Sequence, residues 1–106
     1  MAASGSTLWG RRTMTELRVG PVLTAGVCAN AVASAISKEN PGASVSHRAG
    51  YLRVLVHGRC RVTRNAIERE LGRPFALPRD LELIMPSFRG KLQLDAEVVV
   101  WEAHTR

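Results

Sequence analysis

Between Tyr51 and Val62 the chain alternates so regularly that few folds can accommodate it. Leu52, Val54, Val56, Cys60 and Val62 fall on one parity, with Gly58 among them. Tyr51, Arg53, Leu55, His57, Arg59 and Arg61 fall on the other. A period of two sends successive side chains to opposite faces. The stretch therefore predicts one strand, or two strand pieces with a bulge or turn near Gly58. One face packs inward. The other, apart from Leu55, is basic and looks outward. Such a segment needs a sheet, and the sheet needs something to cover its apolar side.

The flanking sequence supplies candidates. The apolar stretch Leu17–Leu23 contains Gly20-Pro21 and reads as a short strand followed by a turn. Thr24 is a candidate cap for a helix whose buried face is Val27, Cys28, Ala31, Val32, Ala35 and Ile36, at three-and-four spacing. Asn40-Pro41-Gly42 ends that helix. Thr63 offers an N-cap to a second, shorter helix containing Ala66, Ile67 and Leu71. Glu70 is set against Arg73 there, Glu68 is expected to pair with nearby arginines, and Gly72 suits the residue just past the end. Leu81–Met85 reads as a strand stopped by Pro86. Residues 91–95 and 97–102 read as a hairpin turning at Asp95-Ala96, with Leu92 and Leu94 on one side, Lys91 and Gln93 on the other. Val98–Trp101 is apolar on both faces, as in a covered strand. The order is strand, helix, strands, helix, strands. It predicts an α+β fold, a compact single domain of two strand–helix–strand halves.

The chain has 106 residues, one domain's length. Residues 1–15 read as a flexible arm, rich in Ala, Ser, Gly and Thr, and residues 16–106 as the ordered domain. Trp9, Arg11 and Arg12 could order on a partner. No apolar run approaches the ~18 residues of a membrane helix, and residues 1–15 lack a continuous apolar signal region. The expected location is the cytoplasm, with no membrane contact. Cys28 and Cys60 read as two buried thiols in a reducing cell rather than a disulfide.

Catalytic signals are sparse. His47, His57 and His104 lack the i, i+4 spacing of a helical metal site. Ser87 lacks the glycines of a nucleophile elbow, and no phosphate-binding glycine loop occurs. An enzyme acting alone is disfavoured. The net charge of +6 is concentrated: residues 47–73 hold seven arginines against two glutamates. A sheet face with Tyr51, Arg53, His57, Arg59 and Arg61 suits single-stranded nucleic acid, so a basic single-strand-binding α+β domain is one alternative. Only one aromatic interleaves the arginines, which disfavours it. A solvated arginine face is the plain alternative. A small-ligand regulatory domain is a third, without a pocket signature.

A set of blocks resembles a known family. They are Gly20-Pro21-Val22-Leu23-Thr24-Ala25-Gly26, Asn40-Pro41-Gly42, Tyr51-Leu52-Arg53, Thr63-Arg64 with Ile67-Glu68, Leu71-Gly72-Arg73-Pro74-Phe75, and Leu81-Glu82 through Ser87-Phe88-x-Gly90. In order and spacing they resemble the small effector, or coupling, proteins of soluble bacterial multicomponent diiron monooxygenases. The likeness is greatest to the toluene and alkene branch and covers roughly residues 18–101. It implies a cofactor-free, non-catalytic effector domain, monomeric when free. Such a protein docks on the hydroxylase component close to the diiron site. It tunes that site so that electrons and oxygen go into substrate oxidation. It further implies a contact loop at Ile84, Met85, Pro86, Ser87, Phe88 and Arg89. Asn40 and Pro41 are a second candidate contact. Arg64 and Arg73 are a third, as partners for acidic hydroxylase helices. For Met85 and Phe88 a place in the core stays open, and for Asn40-Pro41 a role as helix stop. Relatives in that branch tend to be less basic, so the 47–73 arginines, Arg59 and Arg61 among them, are either a docking face or a solvated one.

Overall fold

The structure, a computed structural model, describes residues 17–103. The arm over residues 1–15 and His104 lie outside the described residues. The elements run β1 (Arg18–Thr24), α1 (Val27–Glu39), β2 (Ser44–Arg48), β3 (Tyr51–His57), β4 (Arg59–Thr63), α2 (Arg64–Leu71), α3 (Arg79–Ile84), β5 (Ser87–Arg89), β6 (Lys91–Leu94) and β7 (Val98–Glu102). They form two antiparallel sheets, β2-β3-β1-β5 and β4-β7-β6. The fold is α+β, as expected. Its halves interlock, because β5 from the second half pairs with β1 of the first.

The alternating stretch is two strands in two different sheets. Gly58 is the corner between them. Its φ of +82° is one that L side chains rarely adopt, and its N–H donates to the Leu17 carbonyl while its own carbonyl accepts from the Ala103 N–H. The inward parity holds across the corner: Leu52, Val54, Val56, Cys60 and Val62 are all buried. They join Val32 and Ile36 of α1, Ile67 of α2, Phe75, Leu81 and Trp101 in one core. Each large side chain buried there contributes roughly 1.5–3 kcal/mol.

α2 and the terminal hairpin form as the sequence predicts. The Thr63 hydroxyl accepts from the Ala66 N–H at 3.1 Å, and Gly72 closes the helix in the left-handed conformation. In the hairpin, Asp95 Oδ1 accepts from the N–H groups of Glu97 and Val98 at 2.8 and 2.9 Å. These bonds hold its carboxyl below the usual range.

Six expectations are corrected. Gly20-Pro21 is not a turn; β1 runs through it between β3 and β5. Proline has no N–H to give a ladder, and the β1–β3 register passes from Val19↔Val56 to Val22↔Arg53 without pairing residues 20 and 21. The backbones close in at that gap, where a Cβ on Gly20 would lie 2.1 Å from the Val54 carbonyl oxygen. Next, the N-cap of α1 is Gly26 rather than Thr24, with no side-chain cap bond. Its buried arc adds Ala29 and Ala33 and leaves Val27 exposed, because α1 packs against α2 as well as β3 and β4. Leu81–Met85 is not a strand. The Asp80 carboxylate accepts from the Ala76 N–H, and the Glu82 N–H donates to the Pro78 carbonyl, which starts the short helix α3. Finally, Glu70 pairs with Lys38 at 2.6 Å instead of Arg73, which holds its carboxyl below the ordinary value. Glu68 accepts from the Phe75 N–H at 2.8 Å rather than from an arginine.

Strand β2 was not legible in the sequence. All five of its residues are exposed. It is held by register with β3 across the two-residue turn Ala49-Gly50, whose φ values of +48° and +84° match a type I′ hairpin.

Candidate functional site

Among the described residues no group of three His, Cys, Asp or Glu side chains comes together as metal ligands would. No helix there is long and apolar enough to cross a membrane. Both cysteines are free. Burial pushes the Cys60 thiol up to about 12, so it stays protonated and unreactive at neutral pH. Of the two thiols expected to be buried only Cys60 is; Cys28, in the first turn of α1, is half-buried.

The residues at 84–89 divide by their positions in the fold. Met85 is 9% exposed and belongs to the core, and Ile84 packs against it. Pro86, Ser87, Phe88 and Arg89 face solvent, with Phe88 42% exposed. β5 fixes their direction through the pairs Gly20↔Arg89, Pro21↔Phe88 and Val22↔Ser87. Leu83 is 76% exposed, the most exposed large apolar side chain among the described residues. A strand reading put Leu81 and Leu83 on one face. In α3, residues two apart point apart, so Leu81 is fully buried while Leu83 projects. The helical spacing of Leu81, Ile84 and Met85 was the signal that would have revealed Leu83. Leu83 and Phe88 are thus two exposed large apolar side chains five residues apart in sequence, on either side of the buried Met85.

The other candidates lie elsewhere. Asn40 is buried at the C-terminal end of α1. Its Nδ2 donates to the carbonyls of Ile36 and Arg61, both at 2.8 Å, and its Oδ1 accepts from the Arg61 N–H at 3.0 Å. That side chain covers the open edge of β4, while Pro41 beside it is exposed. Arg64 is half-buried and paired with Glu97 at 3.2 Å. Arg73 is exposed, with a guanidinium nitrogen 3.8 Å from the Cys28 sulfur. Cys28 lies in the first turn of α1 and Asn40 just past its last, roughly 18 Å apart at 1.5 Å per residue. Asn40 and Arg73 therefore do not share one small site.

The basic face foreseen over residues 51–61 is also divided. Tyr51, Arg53 and His57 are exposed on the first sheet. Arg59 and Arg61 are exposed on the second, where Arg59 stands opposite Glu102 and pairs with it at 3.5 Å.

This arrangement offers exposed surfaces rather than a catalytic cluster among the described residues, and similarity to known proteins gives it a context. Residues 17–102 match the model of the MmoB/DmpM family. The chain belongs to that family. A relative, the effector subunit of the alkene monooxygenase system of Xanthobacter autotrophicus, is 40% identical over 90 residues, covering 83% of this chain and 88% of the relative. The fold likewise matches chains in two solved structures of phenol hydroxylase–regulatory protein complexes. One has a TM-score of 0.73 at 22% identity, covering 82% of this chain and 99% of the other. The second has a TM-score of 0.66 at 24% identity, covering 79% and 99%. Those two likenesses concern the fold. The family match spans β1 to β7, so both sheets and the α3–β5 segment belong to the shared domain.

Proposed function

We propose that this chain is the effector subunit of a diiron hydrocarbon monooxygenase. It carries no catalytic group of its own. It binds the hydroxylase component and tunes that component's active site, so that reductant and oxygen are used for substrate oxidation. The likeness to the Xanthobacter effector subunit along nearly the whole described fold is the observation that carries this reading. The exposure of Leu83 and Phe88 supports it, since large apolar side chains left on a surface are candidates for interaction sites.

The contact set is proposed as Pro86, Ser87, Phe88 and Arg89, with Leu83 added. Ile84 and Met85 position these residues from below. Pro41 and Arg73 are rim contacts at most, because Asn40 and Arg64 use their polar groups within the fold. The mechanism is a population shift. An effector moves its partner's equilibrium only by its difference in affinity for the two conformations. A tenfold shift needs ~1.4 kcal/mol, which one well-buried aromatic anchor can supply.

The test is reconstitution with the hydroxylase of its own system. Adding the chain raises turnover and the fraction of reductant recovered as oxidised product. Phe88→Ala, with the fold intact by circular dichroism, weakens activation by ~2 kcal/mol, about thirtyfold in effective concentration. If wild-type protein alters neither quantity, the reading is wrong. If Phe88→Ala and Leu83→Ala both activate normally, these side chains are not the contact.

A further inference from the structure

The register of the first sheet turns one face away from the core cluster, with Leu55 its buried exception. Across that face, Ser46 stands beside Arg53 and Arg53 beside Val22, while Arg48 stands beside Tyr51 and Tyr51 beside Thr24. His57 and Arg18 form a further pair on the same face. None of β1, β2, β3 or β5 contains an aspartate or glutamate. Arg18, Arg48 and Arg53 are exposed and have no ion-pair partner among the described residues. Between Arg48 and Arg53 lies a cleft of about 200 Å³, lined by Val22, Ser46, Ala49 and Tyr51 as well as the two arginines. It is smaller than the ~300–1,000 Å³ of ordinary ligand pockets, so it suits a side chain rather than a cofactor. The tight Ala49-Gly50 turn fixes Arg48 and Tyr51 opposite each other, which limits the ordering cost of binding.

We infer that this face docks an acidic stretch of the hydroxylase, with a carboxylate seated in the cleft between Arg48 and Arg53. The inference rests on the effector reading above, and adds a second surface to the α3–β5 segment. Charge complementarity argues for the occupant: unneutralised arginines on a rigid face attract and orient a protein carboxylate. Single-stranded nucleic acid fits less well, because successive bases stack on several aromatics and among the described residues this face offers only Tyr51. A second copy fits poorly, because a net charge of +6 repels itself, and three of its carboxylates are already engaged, Glu70 with Lys38, Glu97 with Arg64 and Glu102 with Arg59.

The test compares two double reversals of equal charge. Arg48→Glu with Arg53→Glu alters the first sheet, and Arg59→Glu with Arg61→Glu the second. Association with the hydroxylase component is followed by stopped flow at low and high ionic strength, with thermal melts to verify folding. The first pair should slow association at low salt by roughly tenfold or more and flatten its salt dependence, the second by less than about threefold. Arg48→Gln with Arg53→Gln, which removes charge without reversing it, should fall between wild type and the first pair. Equal slowing by both reversals would mean that net charge alone acts, and would overturn the proposal. So would unchanged kinetics in the first pair while Phe88→Ala still weakens activation, an outcome that leaves the effector reading standing. If the wild-type chain does not bind the hydroxylase, both fall together. If the first pair instead abolishes tight binding to a single-stranded oligonucleotide and leaves hydroxylase association intact, the face belongs to nucleic acid.

Discussion

The outer faces of the two sheets draw on the same short run of sequence and differ most at Arg53 and Arg59, whereas Arg61, opposite Val100 on the second sheet, has no ion pair among the described residues either. Arg53 and Arg59 are six residues apart, on equally regular alternation. Arg53 faces Ser46 and Val22 across its strand pairs, with no carboxylate on the sheet. Arg59 faces Glu102 and is bridged to it. An exposed pair of this sort contributes little to stability, ~0–1 kcal/mol, but it cancels the charge a partner would feel. The difference shows that a count of arginines does not locate an electrostatic surface. The neighbour across the ladder decides whether a cation is spent locally or left to act at a distance.

The strongest challenge to this comparison is made at Gly20, which keeps β1 against β3 beneath the first face. Gly20→Ala places a methyl against the Val54 carbonyl at a φ of +146°, and should cost about 3 kcal/mol in urea unfolding. Near-neutral stability would show that the first sheet relaxes easily, so its arginines are not rigidly displayed. A smaller effect is expected at the joint between α1 and the second sheet. Asn40→Ala removes three hydrogen bonds and leaves the Arg61 N–H and carbonyl without that partner, for a loss of ~1–3 kcal/mol. Hydroxylase activation at saturating protein should be unchanged; a specific loss of activation without loss of stability would return Asn40 to the contact set. The smallest effect is the sharpest for the comparison. Glu102→Gln should alter the melting free energy by less than ~1 kcal/mol, yet it uncovers Arg59. In that background, reversing Arg59 and Arg61 should slow association a few-fold more than in wild type, by order of magnitude of surface steering. No added slowing would mean that pairing with Glu102 is not what distinguishes the two faces.

Much of the fold was legible because its signals are local. The parity of residues 52–62, the Thr63 cap, the Gly72 stop and the hairpin at Asp95 each depend on residues within a few positions of one another. The failures share a different cause. Leu81-Glu82-Leu83-Ile84-Met85 satisfies a period of two as well as a helical spacing, and hydrogen bonds from the preceding turn decide for the helix. Gly20-Pro21 carries the composition of a turn, but strands on both sides hold it extended. Ser44–Arg48 has no apolar alternation to read, and becomes a strand only by pairing with β3. The candidate contacts followed the same division. Phe88 is exposed and Met85 buried because β5 and the core treat them differently, and Leu83 was missed because the helix was.

The sequence by itself determined the alternation that demands a sheet, the cap that starts α2, the family blocks and the surplus of positive charge. Only the tertiary structure decided that the alternating stretch turns at Gly58 into a second sheet, and which arginines remain unneutralised. The reason is physical. Side-chain direction along a strand is set by immediate neighbours, whereas the charge beside a side chain is set across the ladder, by residues as distant as Glu102 is from Arg59.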